Sequence, residues 1–255
     1  MIDCGSLEYA QARVLARHGQ RLDEAGWRHV EALRDLAPLL ELARGTALQP
    51  WLAGITAASH GHQIESALRG HGRALVAEVT AWMPEAWQSA LAWCARWPDL
   101  APLQHLARGG APPPWLLDDE IFRELAGAEP SERAAALAGS ALAPLAAAWA
   151  EPQTFGAAWL AEWRRRLPHP LPQAGEALAQ VLQAILDHGR SFANAAPSQG
   201  WLLRRELQSR LTLLLRRSML DPALAFIHVA LAALELERLR AELLRRALFL
   251  RWKAA

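Results

Sequence analysis

Apolar residues recur at helical spacing along nearly the whole chain. Over 8–18 the positions Tyr9, Ala12, Leu15 and Ala16 fall on one helical face and leave Arg13 and Arg17 on another. A second helix is expected over 23–43, with Leu33, Leu36, Leu40 and Ala43 as its buried stripe and Gly45 as its stop. Then come a short helix from about Leu48, a loop at Ser59-His60-Gly61-His62, and a long helix over 63–82 that carries Ile64, Leu68, Leu75 and Val79. Pro84 opens the next helix, where a proline does no harm because its missing N–H would have had no partner. Pro98-Asp99 separates that helix from another over 100–108.

The segment 109–114, Gly-Gly-Ala-Pro-Pro-Pro, is the clearest break, and a lobe boundary is expected near 110–115. Beyond it the pattern predicts helices over 118–126, 131–149 and 155–167, then a second break at 168–172, also a candidate lobe boundary. Helices over 175–188 and 200–218 lead to the longest, which starts after an Asp221 N-cap and a first-turn Pro222 and runs as far as Trp252. Ten to twelve helices and no strand make residues 1–255 a single all-α domain. A faint internal echo links Asp99, Leu100 and Leu103 to Glu235, Leu236 and Leu239, an acid followed by Leu at +1 and +4 in each.

Composition agrees with the pattern. Ala and Leu supply roughly two-fifths of the residues, which favours helix. Of 255 residues 52% are hydrophobic, and 27 basic side chains nearly cancel 26 acidic ones, so the chain is neither disordered nor a general nucleic-acid binder. Two cysteines, Cys4 and Cys94, form no disulfide framework or metal spacing and fit a reducing compartment. The first residues lack a signal-peptide pattern, so a cytoplasmic address is expected. Pro, Arg, Asp or Glu interrupts every apolar window before the ~18–20 residues a membrane span needs. The C-terminal quarter, from Trp201 to Lys253, is the one strongly basic region.

Several constellations invite a chemical reading. His60, His62 and His71 lie close in sequence, but zinc needs three or four ligands with supporting partners, and no HExxH or Cys pair accompanies them, so they read as loop histidines. Asp118, Asp119 and Glu120 could hold Mg²⁺, yet acids also suit the positive end of a helix, and the helix-start reading prevails. Trp82, Trp87, Trp93 and Trp97, and the pair Trp159 and Trp163, could line an aromatic pocket or a membrane-interface belt. Filling gaps between Ala-rich helix faces is the simpler role. In the last helix Arg238, Arg245 and Arg246 alternate with Glu235 and Glu242, which reads as a solvated, self-paired face that could also meet an acidic partner. No GxSxG, P-loop or dinucleotide fingerprint is present, so no catalytic, cofactor-binding or metal residue is assigned.

The order of certain pieces carries a resemblance. Tyr9-Ala10-Gln11-Ala12-Arg13 through Arg17 opens the chain, followed by the Leu-rich 36–43 and Thr46-Ala47-Leu48-Gln49-Pro50-Trp51-Leu52. Ile64-Glu65 begins the next helix, Trp97-Pro98-Asp99-Leu100 continues to Gly109, and Leu234-Glu235-Leu236-Glu237-Arg238-Leu239-Arg240 lies within 222–246. In this order the chain resembles the C-subunit family of the V-type/A-type ATPases, whose eukaryotic counterpart is the d-subunit, as a short and divergent bacterial member. The resemblance spans both ends and is thin over 111–199.

What the resemblance implies is a funnel of about three pseudo-repeated helical lobes, seated on the cytoplasmic face of the membrane. There a non-catalytic central-stalk adaptor would link the proteolipid ring to the central-shaft subunits and transmit torque, with no cofactor, nucleic acid, small-molecule substrate or membrane span of its own. Trp and Arg would suit the ring contact, each combining large area with a polar handle. A free-standing helical adaptor using the same surface for an unrelated protein is the alternative, and an enzyme built on Asp118, Asp119 and the histidines is a third.

Overall fold

The structure, a computed structural model, describes residues 4–169 and 175–254. Among them are thirteen α-helices and five short 3-10 segments, with no strand, so the protein is all-α. The helices are α1 (Cys4–Gln20), α2 (Glu24–Ala32), α3 (Leu36–Arg44), α4 (Gly61–Trp82), α5 (Glu85–Trp93), α6 (Leu100–Ala107) and α7 (Pro114–Asp118). They continue with α8 (Arg123–Gly127), α9 (Arg133–Ala138), α10 (Phe155–Arg166), α11 (Gly175–Ala193), α12 (Gly200–Arg217) and α13 (Ala223–Ala254). No helix among the described residues is long and apolar enough to cross a membrane.

Helices α4 and α13 form the spine. They run antiparallel, since Gly61 lies against Leu244, Gly72 against Leu236 and the Trp82 ring beside His228. A Cβ on Gly72 would stand 3.4 Å from Leu236 Cδ1, in ordinary van der Waals contact across the helix pair. Each helix serves two cores. Ile64 and Leu68 of α4 join Leu239, Leu243 and Ala247 of α13 over α2, α3 and the Gln49–Leu52 turn. Val76, Val79 and Trp82 join Phe226, Ile227 and Leu231 in a larger core built with α1, α5–α8 and α10–α12. At 1.5 Å per residue the 32 residues of α13 extend roughly 48 Å, enough to pass through both.

Several expected helices come out differently. The 23–43 helix is two, because Leu33 is extended and α3 restarts at Leu36. Pro38 explains the break: it is tolerated in the first turn of α3 but would disrupt the interior of one long helix. The 131–149 helix shortens to α9 and a 3-10 turn at Ala143–Ala148, interrupted at Gly139-Ser140, where Ser140 Oγ donates to Leu137 O, and by Pro144. The 118–126 helix is instead α7 and α8, flanking a turn at Asp119. On α1 the buried face is Leu7, Ala10 and Val14, which leaves Tyr9, Ala12, Leu15 and Ala16 exposed. That helix has two apolar faces, and spacing alone does not choose between them. Asp221 caps α13 as expected, its Oδ1 accepting from Ala223 N–H at 2.8 Å. Gly109 (φ +82°) turns the chain out of α6 in a conformation that favours glycine. Of the second expected break, 170–172 lie outside the described residues.

Candidate functional site

A cluster of opposed charges sits where α4, the Cys94–Asp99 turn, the Asp119 turn and α13 meet. Glu65, Arg69 and Arg73 occupy positions i, i+4 and i+8 of α4 and so share one face. Arg69 Nε donates to Glu65 Oε1 at 2.9 Å, and Arg240 Nε, from α13, donates to Glu65 Oε2 at 2.5 Å. Asp99, fully buried, accepts on Oδ1 from Arg69 at 3.2 Å and from Arg73 at 3.1 Å, with Arg96 at 3.6 Å from Oδ2. Arg73 reaches on to Asp119 Oδ2 at 2.8 Å, and Arg69 lies flat over the Trp115 ring at 4.2 Å.

Burial pushes the Asp99 carboxyl above its ordinary pKa, opposed by Arg73, Arg69 and Arg96. For Arg73 burial works against the charge, but Asp99 and Asp119 outweigh it and hold the guanidinium above its usual range. The two shifts pull the pair in opposite senses, and the ionised pair is the better description, because three guanidiniums within 3.6 Å converge on one carboxylate. Arginine does not deprotonate in proteins, so these are fixed charges. Their chemical effect is to pin four chain-distant segments to one another.

A second lock flanks Arg240 on the same stretch of α13. Arg246, 2% exposed, donates from Nε to Leu33 O at 2.9 Å and from Nη2 to Val30 O at 3.0 Å, reaching carbonyls at the end of α2, where Val30 O has otherwise only a 3.4 Å bond from Leu33 N–H. Its Nη1 also bonds Glu242 Oε2 at 2.6 Å. Arg238 bridges Glu24 and Glu31 of α2 while covering the Trp27 ring at 4.6 Å. The arginines of α13 therefore mostly hold other helices. Glu242, with Arg245 and Arg246, follows the self-paired pattern, whereas Glu235 is buried facing Arg21, just after α1, at 3.6 Å.

The remaining candidates separate. His71 Nε2 is 2.9 Å from Ala53 O, whereas the rings of His60 and His62 meet edge to face at 5.9 Å. Asp119 is buried on Arg73, while Asp118 and Glu120 are exposed. Among the described residues no group of three His, Cys, Asp or Glu side chains could hold a metal ion. The tryptophans pack: Trp159 and Trp163 stack at 6.4 Å, Trp163 meets Phe226 edge-on at 5.7 Å, and Trp93 Nε1–H donates to Trp159 O at 3.1 Å. Trp97, edge-on to Trp159 at 4.9 Å, is the member of that group left half exposed. Arg69, Arg73 and Arg96 carry no single mark in the sequence, whereas Arg240 belongs to the Leu234–Arg240 segment noted above, where no partner for it was evident. The Glu65-Arg69-Arg73 spacing was the available signal.

His228 of α13 is buried, and neither ring nitrogen finds a protein partner. Burial, then Arg21, Arg17 and His18, push its pKa from 6.5 down to about 4. The unfolded chain thus takes up a proton that the folded chain refuses, and stability falls as pH drops from 6.5 to 4. Relative to His228→Leu, the parent is expected to lose about 3 kcal/mol across that window in urea titrations, with the two profiles parallel above pH 7.

No protein-family model matches the chain, and no curated protein matches it.

Proposed function

We propose that this protein is a non-catalytic central-stalk adaptor of a bacterial V/A-type ion-translocating ATPase, joining a proteolipid ring to the central shaft and carrying torque between them. The observation that carries this reading is the charge junction at Asp99. Three of the segments on which the family resemblance rests, at Glu65, Asp99 and Arg240, are far apart in the chain and meet there around Arg69. A part that transmits torque must not shear between its segments, and ion pairs that are buried, multidentate and made by arginine resist shear better than exposed ones. The helix spine running through both cores serves the same end. Three pseudo-repeated lobes in a funnel, and a cytoplasmic seat on the membrane complex, belong to this proposal.

Affinity purification from detergent-solubilised membranes tests it. Proteolipid and shaft proteins are expected to co-elute in fixed proportion. A monomer that retains neither ring nor shaft overturns the stalk reading and leaves the free-standing adaptor.

A further inference from the structure

We propose that the tip between α12 and α13, with the adjoining outer face of α1, docks onto an anionic lipid surface. The apolar stripe Tyr9, Ala12, Leu15 and Ala16 of α1 has no partner in the fold, and Tyr9 is 53% exposed. Leu220 N–H donates to Gln11 Oε1 at 2.6 Å, which fixes the Met219-Leu220 tip against that helix. Met219 and Leu220 are 51% and 54% exposed, so two adjacent long apolar side chains project from the turn. Leu220 does so at φ +55°, a left-handed conformation that glycine or asparagine adopts far more readily. Neither burial nor local backbone preference accounts for a leucine there, and strain of this kind is characteristic of functional positions.

The two charges immediately behind the tip are both positive, whereas the α1 face is mixed, with Glu8 exposed and Glu78 paired to Arg13 and Arg17. Arg216 and Arg217 directly precede it, both exposed, and neither has a carboxylate within the ion-pairing distance of 4 Å among the described residues. Arg216 is close enough to act on His18, near the C-terminal end of α1, while Arg13 of that helix is half exposed and paired with Glu78 at 3.4 Å. Asp221, the nearest acid in sequence, is partly buried and turned inward to cap α13. An apolar tip with guanidiniums immediately behind it suits a bilayer interface, where the tip enters below the headgroups and the arginines meet the phosphates. An acidic protein would have to supply a pocket shaped for the tip. The inference stands apart from the stalk reading, since it concerns the protein alone.

Vesicle flotation of the purified protein, with no other protein present, tests it. The protein is expected to float with equimolar phosphatidylcholine and phosphatidylglycerol and not with phosphatidylcholine alone. Binding should weaken about tenfold on raising salt from about 0.1 to about 0.5 M. The double substitution Met219→Ser with Leu220→Asn should cut binding about tenfold while leaving the melting temperature equal or higher, because Asn tolerates the left-handed turn. Arg216→Gln with Arg217→Gln should remove most of the salt dependence. Equal binding to both vesicles, binding to neither, or full binding by the Met219/Leu220 variant overturns the proposal. Failure on vesicles together with tight binding to polyglutamate overturns it in favour of an acidic protein partner.

Discussion

Asp99→Ala is expected to destabilise the protein by about 3–5 kcal/mol, the range for removing one partner of a buried ionic network. The side chain is fully buried and accepts from Arg69 and Arg73 while facing Arg96, so its loss leaves three guanidiniums with only Glu65 and Asp119 to balance them. Urea unfolding should show the lower midpoint, and calorimetry a fall in Tm of about 10 °C. Adding Arg73→Met should recover part of the loss by removing one of the stranded charges, a coupling that a double-mutant cycle would measure. Additive effects of the two substitutions would mean that the pair is not the unit described here.

Arg246→Met should have a comparable effect, about 3–5 kcal/mol, but a different address. The methionine would fill much of the same space, strand the Leu33 carbonyl, leave Val30 O with only the long bond from Leu33 N–H, and leave Glu242 with Arg245 alone. Hydrogen exchange should therefore rise first in α2 and α3, while amides of α5 and α10 change only as far as global stability does. Arg246→Lys is expected to restore little, because a single ammonium cannot reach both the α2 terminus and Glu242 as the planar fork does. Uniform loss of protection across the chain would show that Arg246 is no local clasp.

How far these features can be read in the sequence depends on the range of the interaction that fixes them. Periodicity places α4, α10 and α12 closely, because helices with an apolar stripe carry their own signal, and α13 is placed by its Asp221-Pro222 start although residues 222–229 are buried on every side. It joins α2 to α3 across Leu33, where Pro38 makes the helix restart, and on α1 it marks the Tyr9 stripe without revealing that Leu7, Ala10 and Val14 form the buried face. The aromatic cluster was legible as packing, since its rings meet one another across α5, α10 and α13. The arginines were not. Arg238 and Arg246 repeat with acids on their own helix, and nothing local reveals that Glu24, Glu31 and the end of α2, more than two hundred residues away, compete for them successfully.

The spine shared by the two cores also orders events during synthesis. Helix α13 leaves the ribosome after every other described helix, yet Arg21, in the turn after α1, needs its Leu231 carbonyl, and the core over α2 and α3 needs its Leu239 and Leu243. Contacts so distant along the chain form late, when loop closure costs most. The nascent protein must therefore carry the apolar faces of α2, α3 and α4 uncovered until translation has passed α13, an interval in which it depends on chaperones more than a protein whose N-terminal part closes by itself.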